Sequence, residues 1–407
     1  MRIFVVVIIL MCLFINQNAL QTIIKTLRRI FQTLMLLLAA LLAEAQTLEN
    51  KNAIQTTDSA FFTTSEAHRI GDQLLVFQRE TGGWPKNVNM VKPLTEEERT
   101  QVLAEKGRQD DSTIDNKATI TQIAFLARLY LATKDERYKE SFLKGMEFLL
   151  GGQYDNGGWP QFWPKNRDYQ VHITYNDNAM VNVMKILNDA RQRKAPYTAE
   201  LIDNRLQQRC QQAFDKGVEC ILNTQIVVDG EPTVWCQQYD RVTLQPAKAR
   251  SYELPSFVSA ESASLMLLLM QISNPNERVK RAVEGAMRWF EAHKLTGIRV
   301  EKYEVNRRSS ENQPSSLGVG RVTKEEGETE GKTDIRVVAD PTAPPLWARF
   351  YDLEEGRPFF CDRDGQPKRD IQDIGYERRN GYSWYSNSPA DLFKRYETWK
   401  KKYHDFL

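Results

Sequence analysis

Apolar side chains in the central part of the chain recur with the spacing expected of helices. Residues 120–131 form an almost continuous apolar run, and residues 139–150 repeat apolar positions at helical intervals until Gly151 ends the pattern. Runs of this length and period predict two packed helices. Comparable patterns predict helices that start near Asn178 and that span residues 199–224, 259–272 and 279–293. Because β-like runs are short, as at 335–338, we expect a mainly α protein built of successive helical hairpins.

Two loops of nearly identical sequence interrupt this helical pattern. The motif Gln-x-x-x-Gly-Gly-Trp-Pro occupies residues 78–85 and again 153–160, and a degenerate third copy spans 225–235. Paired glycines and a proline cannot continue a helix, so each copy is a loop. The interval between copies is about the length of one helical hairpin, which predicts an α/α toroid of about three hairpins with these loops on one rim. Trp84 and Trp159 would either line a binding groove or pin the hairpins together.

The C-terminal part of the chain departs from the helical pattern. Residues 306–333 are polar and rich in Gly, Ser and Glu, which predicts a flexible insertion. Residues 343–385 show little helical periodicity and predict a coil-rich second region. We therefore expect one folded unit over residues 46–407, made of a toroid and an irregular cap.

The first 45 residues have the composition of an export leader. A basic stretch at 25–29, an apolar run at 34–42 and a small-x-small site at 43–45 predict a signal peptide that is cleaved after residue 45. A further apolar run at 3–15 is too short to span a membrane. A start codon placed too far upstream explains this run, and a membrane anchor is the alternative. We expect a secreted or periplasmic protein without a stable membrane span.

The charge balance argues against a strongly basic surface. The 407 residues include 55 Lys and Arg against 53 Asp and Glu, which gives a net charge of +2, and 41% of the residues are hydrophobic. Loss of the leader would remove four basic residues and one acidic residue and leave a nearly neutral protein. Nucleic-acid binding through a general positive field is therefore not supported, and an anionic ligand would have to be met by local arginines. We expect a monomer with a large core.

Cysteine and histidine usage argues against several classes of site. Outside the leader the cysteines are Cys210, Cys220, Cys236 and Cys361, without a Cys-x-x-Cys pair, and the four histidines lack metal-ligand spacing. A zinc or iron site is therefore not expected, whereas disulfides and buried thiols both remain open. The chain has no Gly-x-Ser-x-Gly motif or Walker loop, which leaves serine-hydrolase and nucleotide-binding functions without support.

Two Asp-Asn pairs stand immediately before predicted helices. Asp115 and Asn116 precede the helix at 120–131, and Asp177 precedes the helix that starts near Asn178. Residues of these types often cap helix N-termini. Each pair also follows one of the Trp loops, so both could share one rim of the toroid. Carboxylate and amide oxygens at that rim would suit Ca²⁺, which leaves N-capping and calcium binding as the two interpretations.

Cationic side chains cluster in two later segments. Lys248 and Arg250 lie in a loop ahead of an apolar helix, either as solvated charges or as contacts to an anion. The coil-rich region interleaves aromatic residues with Arg349, Arg357, Arg363, Lys368, Arg378 and Arg379. Guanidinium groups bind carboxylates in a bidentate manner. Together with aromatic faces and Ca²⁺-type ligands, these arginines indicate a carboxylated polysaccharide as the ligand.

Several motifs in a fixed order resemble those of family 10 pectate lyases. They are Gly-Gly-Trp-Pro-Lys-Asn (82–87), Asp-Asn-Lys-Ala-Thr (115–119), Gly-Gly-Trp-Pro-Gln (157–161), Ile-Thr-Tyr-Asn-Asp (173–177), Trp-Cys-Gln-Gln-Tyr-Asp (235–240), Ala-Arg-Ser-Tyr-Glu (249–253) and Pro-Pro-Leu-Trp-Ala-Arg-Phe-Tyr (344–351). The resemblance covers roughly residues 55–390. The insertion and the leader depart from the family pattern.

The resemblance implies an α/α toroid with an irregular second region, and cleavage of polygalacturonate by β-elimination. It implies Ca²⁺ as the cofactor, bound by Asp115 and Asp177, and Arg250 as the base that removes the C5 proton. Because arginine is protonated at accessible pH, activity would rise toward alkaline pH. The residues expected to contact the substrate are Asn116, Lys248, Arg363, Arg378, Trp84 and Trp159.

Two other functions share some of these features. A terpene-cyclase-like α-toroid also carries Gln-x-x-x-Gly-x-Trp repeats, but the pair Asp110-Asp111 lacks the rest of the acidic motif that such enzymes need. A non-catalytic protein that binds acidic glycans would use the same arginines and tryptophans. Formation of an unsaturated product from polygalacturonate distinguishes a lyase from both.

Overall fold

The structure is a computed structural model that describes residues 25–35, 53–305 and 332–404. The expected leader therefore lies largely outside the described residues, although residues 25–35 form an exposed helix. The predicted insertion also lies outside them as far as residue 331. In the described part of the chain, no helix is both long and apolar enough to cross a membrane.

Helices account for most of the regular structure. The first two of the main fold are α1 (Ser65–Phe77) and α2 (Glu96–Ala104). Three hairpins follow: α3 (Ile120–Thr133) with α4 (Glu136–Gly151), α5 (Ala179–Arg191) with α6 (Asn204–Asn223), and α7 (Ser259–Met270) with α8 (Glu277–Ala292). The short α9 (Tyr376–Asn380) and the C-terminal α10 (Ala390–His404) come last. The predicted mainly α class and its three hairpins are confirmed.

The three hairpins pack in two rows. The helices α3, α5 and α7 contact one another in order, and α4, α6 and α8 do the same. In the first row, α3 and α7 are apolar on most sides, whereas α6 and α8 combine one apolar face with one charged face. A helix that is apolar all round is a buried helix, so the first row is the inner one. This is the arrangement of an α/α toroid.

The two rows begin differently. The outer helices α4, α6 and α8 each have a side-chain N-cap, because Asp135, Asp203 and Asn276 accept hydrogen bonds from first-turn N–H groups. Such caps stabilise a helix by about 1 kcal/mol. The inner helices α3, α5 and α7 begin without a side-chain cap. Their first N–H groups, and the positive end of each helix dipole, are left for other partners.

The Trp loops pin the hairpins together. The indoles of Trp84, Trp159 and Trp235 each donate from Nε1 to a carbonyl of a preceding helix, at 2.9, 2.7 and 2.7 Å. The third copy of the repeat is therefore structurally equivalent to the first two. Trp84 is 0% exposed and Trp159 is 1% exposed. The expectation that these two residues contact the substrate is wrong, because their rings are enclosed in the core; their role is packing.

The glutamine that opens each copy ties the loop to a neighbouring hairpin. Gln78, Gln153 and Gln225 each donate from Nε2 both to a carbonyl of their own loop and to a carbonyl of an outer helix. Gly157 has φ +91° and a Cβ there would lie 2.0 Å from the carbonyl oxygen of Lys216. The loop can therefore approach α6 this closely only with glycine.

Strands are short and join the loops in antiparallel pairs. The two-residue pairs are β1 (Ile173–Thr174) with β4 (Gln238–Tyr239), β2 (Val227–Val228) with β3 (Glu231–Pro232), β5 (Phe257–Val258) with β9 (Phe350–Tyr351), β8 (Trp347–Ala348) with β12 (Tyr385–Ser386), and β10 (Phe360–Cys361) with β11 (Pro367–Lys368). The β5–β9 pair attaches the C-terminal cap to the start of α7. Seven-residue strands β6 (Ile298–Glu304) and β7 (Thr333–Ala339) flank the insertion.

The cap has a core of its own. Tyr252, from the loop before α7, packs in a buried cluster with cap residues that include Phe350, Phe360 and Trp384. Cys361 belongs to this cluster, and burial raises the pKa of its thiol to about 11. In the described part of the chain Cys210, Cys220, Cys236 and Cys361 are all free and buried, so the buried-thiol alternative is the one observed.

Candidate active site

A 3₁₀ turn at Asp115–Lys117 leads into α3 and carries the first predicted metal ligand. The buried Asp115 carboxylate accepts the backbone N–H of Asn116 at 3.0 Å and forms an ion pair with Lys86. Asn116 donates from Nδ2 to Oδ1 of Asn87 at 2.9 Å. Lys86 and Asn87 directly follow the first Trp loop, so loop and turn form one unit. Because α3 has no side-chain cap, the N-capping interpretation of Asp115 is wrong.

A second 3₁₀ turn at Asn176–Asn178 leads into α5 in the same way. The Asp177 side chain is 46% exposed, and its Oδ2 accepts a hydrogen bond from Nδ2 of Asn176 at 3.0 Å. Its Oδ1 lies 3.8 Å from Nη2 of Arg349. Here too the helix that follows lacks a side-chain cap, so N-capping is also wrong for Asp177. The carboxylate is instead presented toward solvent.

The two turns share a strained backbone. Asn116 and Lys117 have φ values of +50° and +61°, and Asp177 and Asn178 have the same values. Non-glycine residues rarely adopt this region, and such strain concentrates at functional sites. The turns contact each other, and both contact α5. The internal repeat therefore extends from the Trp loops to the turns that carry the two aspartates.

The oxygen atoms at these turns are of the type that hard cations prefer. Besides the two carboxylates, the side-chain oxygen of Asn178 is buried without a hydrogen-bond partner. Over residues 25–35, 53–305 and 332–404, no group of three or more His, Cys, Asp or Glu could hold a metal by itself. The residues are chemically suited to a Ca²⁺ ion, but its remaining ligands would have to come from the substrate or from water.

The loop before α7 presents Arg250 next to a buried carboxylate. Arg250 donates from Nε to Oε2 of Glu253 at 2.8 Å, and its Nη2 contacts Oε1 of the same residue. The Arg250 side chain is 41% exposed, whereas Glu253 is buried. Burial opposes the charge of both groups, but their mutual contact outweighs it: the pKa of Arg250 is raised and the pKa of Glu253 is lowered. Arg250 is therefore held protonated in this structure.

The side chain of Gln237 links this loop to the turn at Asn176–Asn178. Nε2 of Gln237 donates to Oε1 of Glu253 at 3.2 Å and also contacts Oδ1 of Asn176. Asn176 in turn donates to Asp177. A continuous chain of contacts thus runs from the metal-ligand candidate Asp177 to the base candidate Arg250.

The cap adds two further arginines around one aromatic ring. The guanidinium carbons of Arg250, Arg363 and Arg378 lie 5.0, 6.0 and 4.6 Å from the centroid of Tyr252. Arg363 and Arg378 both donate to the carboxylate of Glu377. These two contacts, that to Arg378 first, lower the pKa of Glu377 to about 2. The cap thereby completes a cationic group beside Arg250.

A largely buried arginine of the cap supports the turn at Asn176–Asn178. Arg349 donates from Nη2 to Oε1 of Glu261 on α7 at 2.6 Å, and its guanidinium carbon lies 4.6 Å from the ring centroid of Tyr382. The Arg349 guanidinium also lies 3.8 Å from the Asp177 carboxylate, which thereby has a cationic neighbour. Arg349 thus joins the inner helix, the rim and the cap.

The structure brings most of the predicted site residues together. The turn of Asp115 and Asn116 contacts the turn of Asp177, and Arg250 is linked to the latter through side chains. Lys248 is exposed, and its Nζ lies near Gly365 of the cap; its role in substrate binding stays a prediction. The residues missed from the sequence are Lys86, Gln237, Glu253 and Glu377. Lys86, Gln237 and Glu253 lie within the family-like motifs at 82–87, 235–240 and 249–253, which is the signal that could have found them.

Comparison with known proteins identifies the class of site. A sequence model of the family described as pectic acid lyase matches residues 78–319 and 315–393. No curated protein sequence matches the chain. One similar solved structure is a family 10 polysaccharide lyase from Cellvibrio cellulosa, with 30% identity, a TM-score of 0.67, and coverage of 85% of this chain and 94% of that one.

A second similar structure is an aspartate-to-alanine mutant of a family 10 polysaccharide lyase from Cellvibrio cellulosa, in complex with trigalacturonic acid. It has 30% identity and a TM-score of 0.67, and the alignment covers 87% of this chain and 95% of that one. The alternatives of a terpene-cyclase-like enzyme and a non-catalytic glycan-binding protein are therefore set aside. The chain belongs to the pectic acid lyase family and is a family 10 polysaccharide lyase.

Proposed function

We propose that this protein is an exported pectate lyase that cleaves (1→4)-α-D-galacturonan by Ca²⁺-dependent β-elimination, with Arg250 as the base. The observation that carries the proposal is the side-chain network from Asp177 through Asn176, Gln237 and Glu253 to Arg250. It fixes Asp177 and Arg250 relative to each other, which supports their roles as a cation ligand and a nitrogen base. The trigalacturonic acid bound by a similar protein supports a galacturonide as the ligand.

Asp115 and Asp177 would hold the calcium ion, with Asn116 positioned to contact the sugar. Bound Ca²⁺ would supply positive charge that stabilises the negative charge developing on the C6 carboxylate during proton removal. The uncapped N-termini of α3 and α5 add positive potential behind both turns. In the absence of Ca²⁺, the ammonium group of Lys86 neutralises the carboxylate of Asp115.

Arg250 would take the C5 proton on a guanidine nitrogen. The electron pair of the C5–H bond forms the C4–C5 double bond and the C4–O4 bond breaks. The glycosidic oxygen stays on C1 of the leaving sugar and takes a proton from solvent water, while Arg250 later releases its own proton to solvent. Arg363 and Arg378 would bind the substrate carboxylates through their guanidinium groups. Because Glu253 raises the pKa of Arg250, the neutral base is scarce at neutral pH and the rate is expected to rise toward alkaline pH.

The test is an assay for the unsaturated product from polygalacturonate with and without Ca²⁺. We expect cleavage with Ca²⁺ and none with a chelator, and Arg250→Ala should bind trigalacturonate without cleaving polygalacturonate. Arg357→Ala is the matched control, because Arg357 is an exposed cap arginine whose side chain donates to Glu355. Cleavage by Arg250→Ala at the control rate would refute the base assignment, and full activity in the chelator would refute the calcium assignment.

Export is tested separately. The full-length gene expressed in a Gram-negative host should yield a periplasmic or extracellular protein whose N-terminal residue is Gln46. Retention of residues 1–45 on a cytoplasmic product would contradict this part of the proposal.

A further inference from the structure

One carboxylate of the enzyme already occupies the arginines proposed to bind the substrate. Glu377, on α9, accepts hydrogen bonds from Nε and Nη2 of Arg363 at 3.1 and 2.9 Å. It also accepts from Nε of Arg378 at 2.7 Å and contacts Nη2 of that residue. Each guanidinium therefore presents two N–H groups to this single carboxylate. This is the way in which arginine binds a free carboxylate group.

The position of this carboxylate is beside the reacting centre. Arg363 and Arg378 share the ring of Tyr252 with Arg250. Glu253 is the counter-ion of Arg250, and Glu377 is the counter-ion of the other two arginines. The three arginines and two glutamates together carry one net positive charge. If Glu377 turned away, the group would carry two and would be free to bind an incoming carboxylate.

The two glutamates differ in how easily they can be displaced. Glu253 is buried, whereas the side chain of Glu377 is 58% exposed and that of Arg363 is 65% exposed. Exposed ion pairs contribute little free energy because water solvates both partners well, so the contact of Glu377 with Arg363 is weak. Arg378 is buried, and its guanidinium keeps a counter-ion only if another carboxylate takes the place of Glu377. Glu377 can therefore exchange with an incoming carboxylate, whereas the buried Glu253 cannot.

The backbone beneath Glu377 is fixed by separate contacts. Arg379, also on α9, donates to the two carboxylate oxygens of buried Asp334 at 2.8 and 2.6 Å, and Asn380 donates to Asp334 at 2.7 Å. Displacement of Glu377 consequently requires rotation of its side chain only. Arg378 would stay in position to bind the next carboxylate.

We propose that Glu377 is a placeholder, which occupies the carboxylate position between Arg363 and Arg378 until a galacturonate carboxylate displaces it. This inference rests on the proposed function. A free uronate matches Glu377 in charge and in its pair of acceptor oxygens, so it can compete. A methyl-esterified galacturonate has no charge and accepts hydrogen bonds more weakly, so it competes poorly. Because Glu377 must leave before either ligand contacts these arginines, its presence lowers the affinity of both ligands by the same factor.

Glu377→Gln and Glu377→Ala test the proposal. Both should lower KM for polygalacturonate by about two- to fivefold, the range expected for an exposed ion pair, with kcat changed less than twofold. They should lower KM for a partly methyl-esterified polymer by no larger a factor, because the cost of displacing Glu377 is the same for every ligand that contacts these arginines. A merely structural role of Glu377 would instead raise KM, because the arginines would lose their orientation.

The matched control is Glu355→Gln. Glu355 is an exposed cap glutamate that accepts from two arginines, Arg357 at 2.7 Å and Arg369 at 3.2 Å, as Glu377 does. The placeholder inference is overturned if KM of the Glu377 variants rises, or if it changes no more than KM of the Glu355→Gln control. Cleavage of polygalacturonate by the wild-type protein would still support the proposed function in that case. If the wild-type protein does not cleave polygalacturonate at all, the proposed function and the placeholder inference are both refuted.

Discussion

The hydroxyl of Tyr382, in the cap, donates a hydrogen bond of 2.9 Å to the carboxylate of Glu253, in the loop before α7. The same carboxylate is the counter-ion of Arg250 and accepts from Gln237. Three parts of the chain that are far apart in sequence thus converge on one buried acid. Glu253 therefore determines both where Arg250 lies and how firmly it holds its proton.

Replacement of this acid should change both the rate and its pH dependence. In Glu253→Gln the guanidinium of Arg250 loses its paired contact, and we expect kcat to fall by about tenfold to a hundredfold because the base is misplaced. The pKa of Arg250 would fall as well, so the pH at which the rate rises should move to lower values. Kcat measured across the alkaline range tests both effects. An unchanged pH profile together with an unchanged kcat would contradict the positioning role.

Tyr382→Phe tests a milder change at the same carboxylate than Glu253→Gln does. It removes one hydrogen bond to Glu253 and leaves the Arg250 contact in place. The expected loss in kcat is smaller than for Glu253→Gln, since a single neutral donor contributes about 1 kcal/mol. A loss as large as that of Glu253→Gln would indicate that Tyr382 acts on the substrate directly.

The sequence predicted those parts of the molecule that depend on local pattern. Helical periodicity located the three hairpins, with boundaries that mostly lie within a few residues of the structure, and the spacing of the Gln-x-x-x-Gly-Gly-Trp-Pro loops located their repeat. The family-like motifs placed Asp115, Asp177 and Arg250 near helix starts, where the structure finds them.

What the sequence could not show is which long-range partner each side chain meets. The sequence of a glycine-rich loop does not show whether its tryptophan faces a groove or, like Trp159, donates to a carbonyl in the core. Gln237 lies within the motif at 235–240, but its linking role could not be predicted because its two partners, Asn176 and Glu253, come from different segments. Strand β6 was also missed, because its register is set by pairing with β7 across the insertion.

The buried indoles should matter for stability rather than for catalysis. Trp159→Phe leaves the carbonyl of Leu149 without its 2.7 Å donor, and we expect the free energy of unfolding to fall by about 1–3 kcal/mol. The specific activity of the folded fraction should stay within twofold of wild type. Urea denaturation and the KM for polygalacturonate measure the two effects. A raised KM at full folding would restore a substrate-binding role for this residue.

The ion pair between Lys86 and Asp115 makes a prediction about calcium that does not depend on activity. Lys86→Met would leave the buried Asp115 carboxylate without its cation and should destabilise the calcium-free protein by about 1–3 kcal/mol. Calcium should then raise the melting temperature of the variant more than that of wild type, because the ion replaces the lost charge. Lys92→Met is the control, since Lys92 pairs with exposed Glu98. Equal calcium effects on both variants would argue against Asp115 as a ligand.

The contact between the β6–β7 hairpin and α9 makes a pH-dependent prediction. Burial opposes the charge of Asp334, but hydrogen bonds from Arg379 and Asn380 outweigh it and lower its pKa below that of an ordinary aspartate. A carboxyl whose folded-state pKa is depressed stabilises the fold above its unfolded-state pKa and loses that contribution as the pH falls through the folded-state value. Asp334→Asn should therefore be less stable than wild type by about 1–3 kcal/mol near neutral pH. The difference should shrink below about pH 4.

Thermal unfolding of Asp334→Asn and wild type between neutral and acidic pH measures this difference. Glu301→Gln serves as the control, because Glu301 is an acid of the same hairpin that pairs with Arg336 at 2.6 Å and with Arg299 at 2.7 Å, both within the hairpin, rather than with α9. If α9 is held by Asp334, the Asp334 variant should also raise KM for polygalacturonate, since Arg378 lies on that helix. A stability difference that is independent of pH, or that Glu301→Gln reproduces, would contradict the assignment of this anchor to Asp334.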